Sequence, residues 1–190
     1  MAANVDRLLT IDDLDAFPDD DGNRYELIEG ELHVSRSPGL PHQLVLQNLQ
    51  MRLGSYLEAN PIGVIVPGVG TIFSNYDAVI PDIVIIRNER YKQVTSEEKV
   101  IAAPDIVVEI LSRGSENRRR DLQAKRRLYA KYGVAEYWVV DREDRSVLIF
   151  RLNGNTLEET GKVQDEDLLT SPLLPNFELK VQTIFSMPAI

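Results

Sequence analysis

Hydrophobic and polar positions change period several times along the chain, and each change marks an element. RYELI and ELHVS flank Glu29-Gly30. Two extended runs joined by a two-residue loop with glycine predict a hairpin. Before it, the acidic stretch DDLDAFPDDDGN reads as a short helix and a turn, and after it SPGLP reads as a loop. Over residues 42–59, Leu44, Leu46, Leu49, Leu53 and Leu57 recur at near-helical spacing, and Asn60-Pro61 ends the predicted helix. Strand-like runs follow at 63–66 and 70–73. VIPDIVII (79–86) is apolar at nearly every position except Asp82 and reads as one strand; Ser96 is expected to start a short helix. PDIVVEIL (104–111) is a second apolar strand, interrupted by Glu109. Residues 115–132 are helix-like, with Gly133 where a C-cap glycine belongs. A β-branched, aromatic strand at 135–140 precedes a hairpin, 146–152 with 156–160, across Asn153-Gly154. The tail SPLLPNFELKVQTIF reads as a packed loop and short helix. Strands apolar throughout, beside helices, predict an α/β (α+β) fold with a central mixed sheet covered on both faces.

Composition narrows the class. The 190 residues are 43% apolar and 27% charged, a globular balance sized for one domain spanning 1–190. The absence of cysteine removes disulfides, thiolate metal sites and cysteine nucleophiles. Two histidines, His33 and His42, argue against a multi-histidine metal site. No apolar run approaches the roughly 20 residues needed to span a bilayer. The first residues carry neither a basic start nor a long apolar stretch, so a cytoplasmic protein without a secretion signal is expected.

The net charge of −9 is unevenly spread. From Arg113 to Lys131 eight Lys/Arg face two acids, a local +6, so the remainder sums to −15. Within the first 31 residues ten acids face two arginines. A basic island in an acidic chain is more informative than the total, and it reads either as a solvated helix face or as a surface for phosphates.

Two acids stand where acids are expensive. Asp82 interrupts IPDIVII and Glu109 interrupts IVVEIL. A carboxylate in a buried strand costs several kcal/mol unless it is paired or bound to metal. Either acid alone reads as a strand-end charge satisfied by a lysine or by backbone amides. Together, at one end of a sheet and followed by a cationic helix, they read as a site for a hard divalent cation. That helix is ENRRRDLQAKRRLYAKYG. Asp121 and Lys125 are four apart, which fits either a surface pair or a lysine reaching over the sheet end toward the carboxylates. In the second case Arg118, Arg119, Arg120, Arg126 and Arg127 surround it and can contact phosphates. No P-loop, G-x-G-x-x-G, H-E-x-x-H or G-x-S-x-G occurs. Tyr137 and Trp138, beside Val139 and Val140, are expected in the core.

These residues resemble a family. Pro81-Asp82 followed by Glu109-Ile110-Leu111 is similar to the PD-(D/E)XK motif of restriction-endonuclease-like proteins. The series YELIEGEL (25–32), SPGLPHQ (37–43), PDIVI (81–85), VVEILS (107–112), DLQAK (121–125) and GVAEYWVVD (133–141) resembles the Uma-two family of endonucleases. It covers most of residues 24–153, and its order is far more specific than any one piece. The resemblance implies a restriction-endonuclease-like fold with an N-terminal hairpin and a C-terminal hairpin extension. It also implies Mg²⁺ or Mn²⁺ held by Asp82, Glu109 and the backbone carbonyl of Ile110, and DNA as substrate. The motif's lysine position holds Leu111 here, and the resemblance nominates Lys125, on the following helix, as the migrated lysine. Glu31 and His42 match family positions near the site; as residues alone, they read equally as an exposed hairpin acid and a first-turn helix residue. Arg118, Arg119, Arg126 and Arg127 are the expected phosphate contacts, and a homodimer is expected because cutting both strands of a duplex needs two sites. Two rival readings stand beside this one: a nucleic-acid-binding or regulatory protein on an inactive nuclease fold, and a metal-free carboxylate-pair hydrolase such as a glycosidase.

Overall fold

The computed structural model describes residues 7–18, 21–112, 114 and 118–186. Its N-terminal helical turn α1 (Ile11–Leu14) leads into the expected hairpin, β1 (Asn23–Ile28) with β2 (Glu31–Arg36). Glu29 and Gly30 both have positive φ, 55° and 77°. Such a two-residue turn matches the right-handed twist of its strands.

After α2 (Leu40–Ala59) come β3 (Gly63–Pro67), β4 (Thr71–Ser74), β5 (Asp77–Val79) and β6 (Ile83–Arg87). The single strand expected at 79–86 is therefore two strands, and they belong to different sheets. Pro81 supplies no N–H for a ladder, so pairing stops and the chain crosses from one sheet to the other there. The smaller sheet has the order β2-β1-β5-β4. The larger runs β10-β9-β8-β7-β6-β3, with β7 (Ile106–Ile110), β8 (Glu136–Asp141), β9 (Ser146–Asn153) and β10 (Thr156–Gln164). Only β7 and β8 run parallel within it, and the cationic helix is their crossover. The mixed sheet flanked by helices is the expected class.

Alternate residues of the central strands feed two cores. Ile83, Ile85, Ile106, Val108 and Trp138 face α2, whose Val45, Leu49 and Leu53 are buried. Val84, Ile86, Val107, Tyr137 and Val139 face the cationic helix, through Leu128 and Tyr129. Burial on both faces is why these strands read as apolar runs rather than alternations.

Two further expectations are corrected. The short helix α3 is Tyr91–Val94 and ends before Ser96. The tail is a hairpin, β11 (Leu168–Ser171) with β12 (Leu174–Lys180), closed by a 3₁₀ turn, Val181–Phe185. Its prolines read as loop signals, but Pro172 lies in the turn between the strands and Pro175 on an exposed stretch of a two-stranded sheet, where no ladder needs its N–H. Phe177 of β12 stacks on Trp138 at 6.3 Å, so the hairpin covers the core.

The cationic segment is irregular. A π-helical stretch, Arg120–Lys125, runs into α4 (Arg126–Tyr132), which Gly133 caps at φ 85°. Its expected start at Ser115 lies outside the described residues. Among the described residues no helix is long and apolar enough to cross a membrane.

Candidate active site

Antiparallel pairing of β6 with β7 aligns Ile83 with Val108. Asp82, one residue before Ile83, therefore meets Glu109, one residue after Val108. Topology thus brings the two acids together at the sheet end, and both are buried, 3% and 4% exposed.

Asp82 is held on three sides. Its Oδ2 accepts the main-chain N–H of Ile110 at 2.8 Å and lies 3.0 Å from His42 Nε2. Its Oδ1 accepts Arg24 Nη1 at 3.2 Å. Burial alone raises a carboxyl, but the contacts from His42 and Ile110 more than offset it, and Asp82 lies below the usual aspartate range.

Glu109 is placed differently. Its Oε1 accepts Lys125 Nζ at 2.8 Å and Tyr129 Oη at 2.7 Å. Burial pushes its carboxyl up to about 8, with Asp82, Asp121 and Glu26 adding to the effect against the opposing Lys125. One ammonium does not hold it down because Lys125 is shared: Nζ also donates to Glu26 Oε1 at 2.8 Å. Glu26 accepts the Ile80 N–H as well, at 2.8 Å, and Arg120 lies 3.9 Å from its Oε2. Those cations and that N–H overcome its burial and keep Glu26 ionised below the usual range. Lys125 itself is 2% exposed. Burial disfavours its charge, yet Glu109, Glu26 and Asp121 hold it above the ordinary lysine value, so it stays an ammonium.

The π-helical stretch turns both Asp121 and Lys125 inward, since both line the cavity. Such bulges are frequent at functional sites. Asp121 is not the direct partner that its four-residue spacing suggested; its Oδ1 accepts Arg120 Nε at 3.0 Å instead. The cavity enclosed by these groups measures about 20 Å³, enough for one ion or one water. Arg24, Arg36 and Ser35 of the N-terminal hairpin lie at its lining.

Of the residues singled out from sequence, Asp82, Glu109, Ile110, Lys125 and His42 converge on this cavity. Glu31 does not: it is exposed at the start of β2 and lines a separate groove with His33, Arg119 and Arg127. Arg119 and Arg127 are exposed. Arg118 forms an ion pair with Asp141, and Arg126 lies 5.1 Å over the Phe150 ring. Sequence reasoning missed Glu26, Arg24 and Tyr129. Glu26 carried a signal, an acid flanked by Tyr25, Leu27 and Ile28, but strand alternation made it look solvent-facing. Nothing local marks Arg24, and Tyr129 read only as part of an apolar stripe.

The donor set is two carboxylates and one main-chain carbonyl, from three residues that line one cavity. Leu111 N–H donates to Val140 O on β8 at 2.9 Å. Across a trans peptide, C=O points opposite to the next N–H, so the Ile110 carbonyl is directed away from β8, toward the Asp82 side. An all-oxygen set of this kind fits Mg²⁺ or Mn²⁺.

No curated protein matches the chain. A crystal structure from Anabaena variabilis, described as a "putative nuclease belonging to DUF820", is similar in fold, with a TM-score of 0.74 over 93% of this chain and 97% of that one at 20% identity. The family model "Uma2: Putative restriction endonuclease" matches residues 11–182, and the chain therefore belongs to the Uma2 family.

Proposed function

We propose that this protein is a metal-dependent endonuclease that hydrolyses DNA phosphodiester bonds. Asp82, Glu109 and the Ile110 carbonyl would hold Mg²⁺, with Mn²⁺ as substitute. One observation carries the reading: the lysine displaced from the motif position reaches the carboxylates all the same, 2.8 Å from Glu109 and buried. When bound, the metal supplies Lewis-acid polarisation of the phosphate and a more acidic attacking water.

The chain's own residues do the rest. Lys125 meets the negative charge that grows on the scissile phosphate, and its two carboxylate partners fix its position beforehand, so no reorganisation is needed as that charge develops. Tyr129 holds Glu109 Oε1 in place. Arg119 and Arg127, both exposed, contact backbone phosphates without reading sequence. A two-fold dimer would present one site to each strand. The metal-free glycosidase reading is less well supported, because Asp82 and Glu109 are both buried and already bonded to His42, Ile110 and Arg24 and to Lys125 and Tyr129.

The test is cleavage of supercoiled plasmid with Mg²⁺, Mn²⁺ or EDTA by the wild type and by Lys125→Gln, with calorimetric metal titration of both. Metal-dependent nicking is expected, about a hundredfold or more slower in the variant with metal binding retained. DNA and metal binding without cleavage under any divalent cation would overturn hydrolysis and leave a DNA-binding protein on a nuclease fold.

A further inference from the structure

We infer that Arg24 is a metal-gated phosphate-binding residue: it caps Asp82 Oδ1 while the metal is absent and turns to a substrate phosphate when the metal takes that oxygen. The inference rests on the metal reading above and concerns a residue that this reading does not use.

The cations of the cavity are held unequally. Lys125 donates to two buried carboxylates and is itself 2% exposed. Arg120, its side chain 12% exposed, is bonded to Asp121 and faces Glu26. Among the cations that hold a carboxylate of the cavity, Arg24 is the loose one. Its side chain is 26% exposed, and among the described residues its guanidinium makes one hydrogen bond, 3.2 Å to Asp82 Oδ1. A guanidinium has five donors and favours bidentate pairing with planar or phosphate oxygens. One long, end-on contact leaves most of that capacity unspent.

Asp82 has one oxygen to spare. Its Oδ2 is already taken by the Ile110 N–H and by His42. Oδ1 is therefore the oxygen left for a cation, and among the described residues Arg24 is its partner. A divalent ion on Oδ1 displaces the guanidinium from its single contact and repels it.

Charge counting says where it goes. Counted with every carboxyl ionised, Glu26, Asp82, Glu109 and Asp121 line the cavity with Arg24, Arg36, Arg120 and Lys125, four carboxylates against four cations. A divalent ion adds two positive charges to this balance and so draws phosphodiester oxygens to the cavity. Arg24 is the cation at the cavity that is both partly exposed and freed, so it supplies the bidentate contact.

The test measures affinity for a short DNA duplex of arbitrary sequence against salt concentration, in EDTA and in Ca²⁺, for wild type, Arg24→Gln and Arg24→Lys. Calorimetric titration with Mg²⁺ and Ca²⁺ accompanies it. In EDTA the wild type and Arg24→Gln should share one log-affinity against log-salt slope. In Ca²⁺ the wild-type slope should be steeper by about 0.9, one phosphate contact, and Arg24→Lys should keep it. Arg24→Gln should also bind either metal about fivefold more tightly, the scale of one partly exposed ion pair no longer competing. A merely structural arginine would weaken metal binding when removed. Weaker metal binding by Arg24→Gln, or the same slope difference in EDTA as in Ca²⁺, overturns the gated role while leaving the nuclease reading intact. A wild type that binds neither metal overturns that reading, and this inference with it.

Discussion

Raising the pH of the metal-free protein should destabilise it, and Glu109 is the reason. Its carboxyl is held at about 8 against an ordinary 4.5. Between those values the unfolded chain has released this proton and the folded chain keeps it. The unfolded state thus binds fewer protons, and linkage requires stability to fall as pH rises through the window. The gap of 3.5 pH units, at about 1.4 kcal/mol each, sets a ceiling of about 5 kcal/mol. For a chain of this size that ceiling corresponds to a Tm drop of roughly 10–20 °C. The assay is thermal melting in EDTA from pH 5 to 9, for wild type and Glu109→Gln. Subtracting the variant removes the titrating groups that do not interact with Glu109. Stability relative to the variant should be greatest near pH 5 and decline to a plateau above pH 8. Millimolar Mg²⁺ should recover more stability at pH 9 than at pH 6, because at the lower pH the ion must displace a proton. A wild-type-minus-variant difference that stays flat across the range would mean that Glu109 is ionised throughout, and the account of its crowded carboxylates would be wrong.

Other expectations concern single groups. Asp82→Asn should abolish the rise in Tm that Mg²⁺ produces, read by the same melts; an unchanged metal response would remove Asp82 from the ligand set. Replacing both Arg119 and Arg127 by glutamine should flatten the salt dependence of duplex binding by about 1.8, at about 0.9 per contact, and an unchanged slope would make that helix face an ordinary solvated one. Glu26→Gln should lower the lysine's charge stabilisation without touching a metal ligand, so the cleavage rate should fall while calorimetric metal affinity holds within a few-fold; loss of metal binding instead would make Glu26 a ligand.

The site was legible in the sequence wherever a charge interrupted an apolar run. Asp82 and Glu109 stand out because their strands are buried on both faces, which leaves no inexpensive place for a carboxylate. Lys125 stands out less, and its nomination came from a resemblance; helical spacing alone paired it with Asp121, a contact that the π-helical stretch replaces with Glu26 and Glu109. Glu26 and Arg24 were hidden by the alternation that made their hairpin readable, since period two predicts a polar face without saying what that face meets. The hairpins at Glu29-Gly30 and after Asn153 were legible because their turns have local chemistry. The split at Pro81 and the C-terminal hairpin were not, because strand partners and a protective edge are tertiary facts.

The crossing at Pro81 ties assembly of the candidate site to complete folding. The smaller sheet contributes Arg24 and Glu26, the larger contributes Glu109, and Asp82 lies on the segment that passes between them. Lys125 bonds across the joint, to β1 on one side and β7 on the other. A chain in which either sheet has formed alone holds neither the paired lysine nor the enclosed cavity. Assembly order thereby guards the proposed chemistry: an unfinished or locally unfolded copy lacks the assembled cavity, and the last docking event is the one that completes it.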